Sequence, residues 1–556
     1  MIFGQTYQHI KRYRQIVNIF IKYGFGYLMD KIGVVNVLPV GKKLYKDKLG
    51  YKKLTTPQKV KLMLEELGPT FIKLGQILSI RPDIIPREYI MELEKLQDNV
   101  PGFDYEKVKV QIEKELECSI DDVFLSFEKE PFAAASIAQA HRAVLENGQN
   151  VVVKVQRPNI TGIIKTDLEI LSHMAKLIEK HVPESRTYDP VGIVEEFAEA
   201  IKTELNFIRE GWNIERFNKN FEGDPIIYIP RVYWDLTSQK VITVEYIEGI
   251  KVNQVEKISE LGLSRKQIAE NGARALMKQI FIHGFFHGDP HPGNILIKHD
   301  GKIAFIDFGM MGRIDEETKY KMVDLIFGVI NKDTGKIVKV LLDIGVVSKT
   351  TDVRKLKLDV EDMLEHYYGR SLRQIKFSEL INEMLHITSR YKVKLPSNFT
   401  MLCKSIITIE GIGRELDPDF NIIKTAKPFV KQLLQERYNL RNLMKVVNET
   451  LLELKKVSKT IPELVKEAYQ KIKQDNIKID FEYKGIEKAV FELNKMVNRL
   501  VFSMIVSSII IGSSLIIQAK FGPYMYDVPL LGVFGFLAAG LLGIGLVISI
   551  WRSGKI

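Results

Sequence analysis

Two short loops hold the residues best suited to chemistry. His287-Gly288-Asp289-Pro290-His291-Pro292-Gly293-Asn294 carries a carboxylate and an amide five positions apart, and Asp307-Phe308-Gly309 begins thirteen residues after Asn294. Between them, two short apolar runs flank Asp300-Gly301, a hairpin signal. Phosphoryl transfer needs a divalent metal held against a triphosphate by oxygen ligands. Asp307 and Asn294 offer an anionic and a neutral oxygen of the kind Mg²⁺ takes, and Asp289 stands where it can accept a hydroxyl proton. Upstream, Lys154 lies inside the apolar run VVVKV. A lysine in a strand interior is costly unless an anion meets it. Glu210, on a later helical stretch, is its expected partner, and together they would hold the α- and β-phosphates of ATP or ADP. The expected phosphate loop is PFAAASIAQAH, with Ala133, Ala134, Ala135 and Ser136 at its centre. Alanine lets backbone come close to a ligand but restricts φ more than glycine does. Glu245, Tyr246 and Ile247, within Val244–Gly249, form the expected hinge whose backbone would meet adenine.

The elements that must position these residues follow from periodicity. Residues 1–53 read as a basic, partly amphipathic helical segment and 54–122 as a helical extension interrupted by RPDIIP. From 123 to 248 the spacing shifts to strands with inserted helices. Asn147-Gly148 marks a first hairpin there. Residues 249–440 read as a helical lobe, and 441–499 as an amphipathic linker that includes the basic run Leu454–Lys473. The fold class is α+β: a protein-kinase-like, two-lobed fold of atypical kind, with an N-terminal helical extension and a C-terminal transmembrane hairpin.

The hairpin comes from two uncharged runs, Leu500–Ala519 and Val528–Trp551, each long enough to cross about 30 Å of hydrocarbon. Ser508/Gly512 and Ala539/Gly543 give small-xxx-small spacings that allow close helix approach. Lys495 and Arg499 precede the first run, and Arg552 and Lys555 follow the second, so the body is expected on the cytoplasmic side of a membrane it enters twice. The net charge of +11 is concentrated near the N-terminus, where Met1–Lys53 holds eleven basic residues against two acidic ones. With the apolar runs at the other end, membrane lipid is the expected partner of that charge, and nucleic acid is not. Two cysteines, Cys118 and Cys403, exclude a disulfide framework or a thiolate metal site. His141, His287 and His291 are expected to shape loops through hydrogen bonds.

Taken in order, Lys73-Leu74-Gly75-Gln76, AAAS, VVVKVQRP, ELNFIRE, HGDPHPGN and DFG resemble the UbiB/AarF family of atypical kinase-like proteins over residues 60–315. That resemblance implies binding of ATP or ADP with Mg²⁺ and ATPase activity more readily than protein phosphorylation. It also implies support of isoprenoid quinone biosynthesis, ubiquinone or menaquinone, at a membrane, with quinone precursors and the enzymes that modify them as partners. A homodimer is compatible with it. Lys73 and Gln76 would belong to an extension that folds over the active site and obstructs a protein substrate. Glu204 would open an E-x-D motif whose third position is here Asn206, which puts the latching of that extension in question. After Asp307-Phe308-Gly309 the chain reads MMGRIDEETKYK and lacks the long segment and A-P-E that dock peptides in protein kinases. Two other readings stay open: a phosphotransferase acting on a small or lipid hydroxyl, and a nucleotide-binding scaffold with little turnover.

Overall fold

The computed structural model describes residues 2–34, 54–82, 84–96, 102–347, 351–366, 376–437, 486–519, 522–525 and 528–552. The basic stretch beyond residue 34 and the amphipathic run Leu454–Lys473 lie outside them. The chain divides into two compact units, Met1–Met444 and Lys445–Ile556.

The first unit opens with helices α1 (Ile2–Lys22), α2 (Gly26–Lys31), α3 (Thr56–Leu67), α4 (Pro69–Ser79) and α5 (Arg87–Leu93). A capping box starts α3: the Thr55 hydroxyl accepts from the Gln58 N–H while the Gln58 side chain returns to the Thr55 N–H. Gly75 lets α4 lie close to its neighbours, because a Cβ there would strike Leu96 and Leu64. These helices share a core with α8 and α9 (Ile160–His181 and Pro190–Glu204), among them Phe71, Ile164 and Phe197. Arg12 of α1 fixes the arrangement with a bidentate pair to the fully buried Asp167 of α8, at 2.7 and 2.9 Å.

Between these two helical groups, α6 (Tyr105–Leu116) and α7 (Ile120–Val123) lead into the small lobe. Its sheet runs β1 (Phe124–Phe127), β3 (Ala138–Leu145), β4 (Asn150–Gln156), β6 (Val241–Glu245), with β2 (Ala133–Ala134) also on β3. Gly148 at φ +80° makes the β3–β4 turn at the expected place. Alternation along β4 buries Val151, Val153 and Val155 against α6 and α7 and turns Lys154 to the other face. Helix α10 (Phe207–Asn220) lies on that side, with Phe207 beside Lys154, and buries Ile214 and Phe217 as well. Gly211 allows the approach of the Trp234 ring, 2.8 Å from where a Cβ would sit.

In the large lobe a second sheet has the order β5 (Ile227–Tyr228), β10 (Ile303–Phe305), β9 (Ile295–Ile297), β7 (Ile250–Lys251), and β8 (Phe285–His287) pairs with β11 (Met311–Arg313). The helices are α11 (Val255–Glu260), α12 (Arg265–Met277), α13 (Glu316–Asn331), α14 (Thr334–Ile344), α15 (Val353–His366), α16 (Phe377–Arg390), α17 (Ser397–Leu416) and α18 (Ile422–Arg437). A short pair, β12 (Val346–Val347) with β13 (Val393–Lys394), interrupts the helical stretch expected from Glu316 onward. One further departure matters to the site. Where the sequence suggests continuous helix to residue 284, α12 widens into a π-turn, Lys278–His283. That turn aims buried Gln279 at β8, where its Oε1 accepts the His287 N–H at 2.9 Å.

The second unit contains α19 (Ile486–Gln518), a short pair β14 (Tyr524–Met525) with β15 (Val528–Pro529), and α20 (Leu530–Arg552). Among the described residues one segment, Leu500–Gln518, is long and apolar enough to cross a membrane, and the apolar part of α20 is the shorter Leu530–Gly545. The helices pack on each other, but not through the spacings read from sequence. A Cβ at Gly512 or Gly543 would meet nothing, whereas one at Gly532 would strike Ile517 and one at Gly535 would strike Ser513. Only Ala539 of the expected set is buried. A small-residue spacing marks one helix stripe; which stripe faces the partner depends on the connection, and this connection turns Ser513 inward.

Candidate functional site

Lys154, Glu210 and Asp307 are separated by 56 and 97 positions, and the fold brings their charged ends together. Lys154 Nζ donates to both Glu210 oxygens at 3.0 Å and lies 3.9 Å from Asp307 Oδ2. It also stands 5.2 Å from the Phe207 ring centroid. Burial by itself would strip the Lys154 proton, but the charges of Asp307 and Glu210 more than offset that and hold the ammonium well above its ordinary value. The Lys154 charge in turn holds the Asp307 carboxyl below the usual range against its burial. Glu210 sits in the first turn of α10, where the helix dipole favours an acid, and Asn206 caps that turn by accepting the Ile208 N–H at 3.1 Å.

The two loops of the large lobe are tied to each other and to α10. His287 Nδ1 accepts the Asp289 N–H at 3.2 Å, so Nε2 carries the proton it donates to the Asp307 carbonyl. Burial keeps this imidazole below its ordinary pKa, in line with the neutral tautomer. His291 accepts the Gly293 N–H at 3.0 Å. Asn213 of α10 donates to the Phe308 carbonyl at 3.0 Å, and the Phe217 ring packs 5.3 Å from that of Phe308. The Asn294 carbonyl accepts the Ile306 N–H at 3.1 Å, which sets Asn294 beside the start of DFG.

The donor set fits Mg²⁺. Asn294 spends its Nδ2 on the Asp289 carbonyl at 3.3 Å, which leaves its Oδ1 as the acceptor for a ligand. Asp307 engages Oδ1 with the Gly309 N–H at 2.9 Å, and its side chain stays 45% exposed. No cluster of three or more His, Cys, Asp or Glu is close enough to hold a metal among the described residues. One carboxylate and one amide suit a magnesium ion that keeps waters and takes phosphate oxygens.

Other expected residues arrange themselves less simply. Ala133 and Ala134 belong to the β2–β3 ladder, opposite Ala140 and Gln139, so their backbone is already committed. The Ala135 N–H goes to Ala138 O at 2.8 Å, and its carbonyl is held by Arg157 Nε and Nη2, both at 3.1 Å. Ser136, at the tip, is buried. At the hinge, the N–H groups of Glu245 and Tyr246 donate to Arg231 O and Asn150 O. The Glu245 carboxylate accepts from Tyr228 and from the Arg231 N–H. Of Glu245, Tyr246 and Ile247, it is Ile247 whose N–H has no backbone acceptor among the described residues. A local turn at the loop and neighbouring backbone at the hinge thus take up amides that look free along the chain.

Lys73, buried on α4, pairs with Glu204 at 2.6 Å, and its charge is felt by Asp307. Asn206 spends its Oδ1 on the helix cap of α10. Gln76 donates to the Leu96 carbonyl at 3.3 Å. One residue had no signal in sequence: Lys404 of α17 lies 3.1 Å from Asp289 Oδ1. Burial raises the Asp289 carboxyl, but the charge and hydrogen bond of Lys404, together with His287 and His291, outweigh it and keep the group below the usual range. A lysine in a helical run 115 positions away has no motif to betray it.

A small antiparallel sheet carrying a lysine–glutamate pair, set over a large lobe whose two hairpin-linked loops present Asp289, Asn294 and Asp307, is a kinase-like fold. Models for three domains match in succession: the ABC1 atypical kinase-like domain at residues 95–341, the UbiB helical domain at 360–421, and the ABC1/UbiB kinase-like C-terminal domain at 484–552. A Clostridium pasteurianum protein described by its position in the hydrogenase 1 5′ region is 37% identical over 98% of this chain and 100% of its own. Proteins named probable protein kinase UbiB are similar too. The one from Sodalis glossinidius is 30% identical over 93% of this chain and 95% of its own, and that from Marinobacter nauticus 34% over 76% and 78%. This chain belongs to the UbiB family of ABC1 atypical kinase-like proteins.

Proposed function

We propose that this protein hydrolyses ATP at the cytoplasmic face of a membrane in support of isoprenoid quinone biosynthesis. The observation that carries the reading is the convergence of Lys154, Glu210 and Asp307 beside Asn294 and Asp289. Lys154, fixed by Glu210, is placed to hold phosphate oxygens, and Ser136 and Ile247 to meet the nucleotide at the loop tip and the hinge. Asn294 and Asp307 would hold Mg²⁺, which when bound supplies the positive charge that phosphoryl transfer needs. Asp289 accepts a proton from the attacking water. Lys73, latched to Glu204, closes the cleft from the extension side and leaves little room for a peptide. The coupling to quinone chemistry rests on family membership, and the membrane location on Leu500–Gln518, with α20 as a second span.

The test uses full-length protein in lipid nanodiscs. Addition of Mg²⁺ with ATP or ADP should raise the melting temperature, and phosphate should be released without an acceptor. Absence of any nucleotide-dependent shift would refute the reading. Transfer of labelled γ-phosphate to a lipid extract, with little free phosphate, would instead identify a phosphotransferase. Quinone profiling of a deletion strain should show an accumulated precursor; a normal profile would remove the biosynthetic role.

A further inference from the structure

We propose that Lys404, in the helical domain, is the positioning residue of Asp289, so that this domain is part of the reaction centre. The proposal deepens the ATPase reading and rests on it.

The loop itself cannot supply the charge. From His287 to Ile297 the chain has neither lysine nor arginine. Protein-interior carboxylates need a partner, and among the described residues Lys404 is the basic side chain that forms an ion pair with Asp289. Both groups are about one-third exposed, at 31% and 34%, so they border the cleft and are not sealed in the core.

Lys404 reaches this point because α17 presents a whole face to the loop. Met401, Lys404 and Ser405 stand at i, i+3 and i+4, one stripe of the helix. Ser405 Oγ donates to the His287 carbonyl at 2.9 Å and is 3.3 Å from that of Gly288. Met401 packs on Gly288, where a Cβ would lie 2.9 Å from its Cγ and 3.1 Å from the Met310 carbonyl. So the residue before Asp289 has no side chain because α17 occupies that space. The opposite face of α17, with Phe399, Leu402, Cys403 and Ile406, is buried in the large-lobe core and holds the stripe in place. Glu94, just past α5, also feels the Lys404 charge but forms no ion pair with it among the described residues. The lysine therefore commits to the loop.

An anion aimed by a cation on a rigid helix has one direction in which to accept a proton, and loss of that aim slows the reaction without loosening the nucleotide. No hydrogen bond or ion pair joins Lys404 to Lys154, Asn294 or Asp307 among the described residues, so nucleotide affinity should not depend on it.

Wild type, K404M, K404Q and K404R are compared as full-length protein in nanodiscs. K404M and K404Q should lower kcat for ATP hydrolysis by about 10- to 100-fold, with KM for ATP and Kd for Mg²⁺-ADP within twofold. K404R should restore kcat to within about fivefold, since a guanidinium can still reach the carboxylate. Unchanged kcat in both neutral variants would overturn the proposal. So would a rise in KM with kcat intact, which would place Lys404 on the nucleotide, or a K404R variant as slow as K404M. If K404M fails to fold, K404Q and K404R carry the comparison. Wild type that binds no nucleotide, or that binds Mg²⁺-ADP but releases no phosphate, overturns the ATPase reading and this proposal with it; wild type that hydrolyses ATP at a rate both neutral variants keep overturns this proposal alone.

Discussion

At the scale of single residues, Lys154 and Glu210 form the interaction with the most at stake. Glu210 is 9% exposed and its two oxygens share one ammonium. Removing one partner leaves the other charge poorly solvated, at about 3–5 kcal/mol for buried pairs. Lys154→Met alone should therefore lower stability strongly in urea unfolding, while Lys154→Met/Glu210→Gln should recover part of the loss. Both should abolish the Mg²⁺-nucleotide thermal shift. A double variant no more stable than the single one would show that the pair is held by something other than mutual charge. His141 is a second residue whose state matters. It is fully buried, bonds the Glu128 carbonyl and Gln139, and burial keeps its pKa below the ordinary value of about 6.5. The unfolded chain takes up a proton near that pH and the folded chain only lower down. The stabilisation is thus complete above about pH 6.5 and is lost as pH falls through the folded value. His141→Gln should flatten that acid slope in unfolding experiments; an unchanged slope would assign it to other groups, such as half-buried His283.

Among the elements, α10 is the one that connects the lobes. Its cap, its Glu210, its Asn213 bond to Phe308 and its Phe217 face all act through one rigid rod. Asn206→Ala should cost about 1 kcal/mol by loss of the cap and weaken nucleotide binding with it. Asn206→Asp keeps a capping oxygen and adds a charge that the helix dipole favours, so stability should hold or rise by a few tenths of a kcal/mol. The Lys73–Glu204 latch should be indifferent to either change. A fall in nucleotide affinity for Asn206→Asp equal to that for Asn206→Ala would contradict this division of labour.

For the whole molecule, the body and the apolar helices form separate compact units. Ile511 lies exposed within Leu500–Gln518. Ile511→Lys should disfavour insertion by about 2.5–3.5 kcal/mol plus the lost isoleucine contribution, and shift the protein toward the soluble fraction on cell fractionation. Unaltered membrane sedimentation would mean that other segments carry the association.

Local sequence determined what local physics controls. The strand that holds Lys154, the two glycine turns, the HGD and DFG loops and the long apolar run were each legible because a periodicity of two, a positive φ or a lack of charge is written in neighbouring residues. Only the tertiary structure decided how distant groups share partners. It showed that the amides of Glu245 and Tyr246 go to Arg231 and Asn150, that Gln76 bonds the Leu96 carbonyl, and that Ser513 rather than Gly512 faces the second apolar helix. It also brought Lys404 to Asp289. Such pairings depend on which helix face meets which loop, a choice set by packing across hundreds of residues, and no local pattern encodes it.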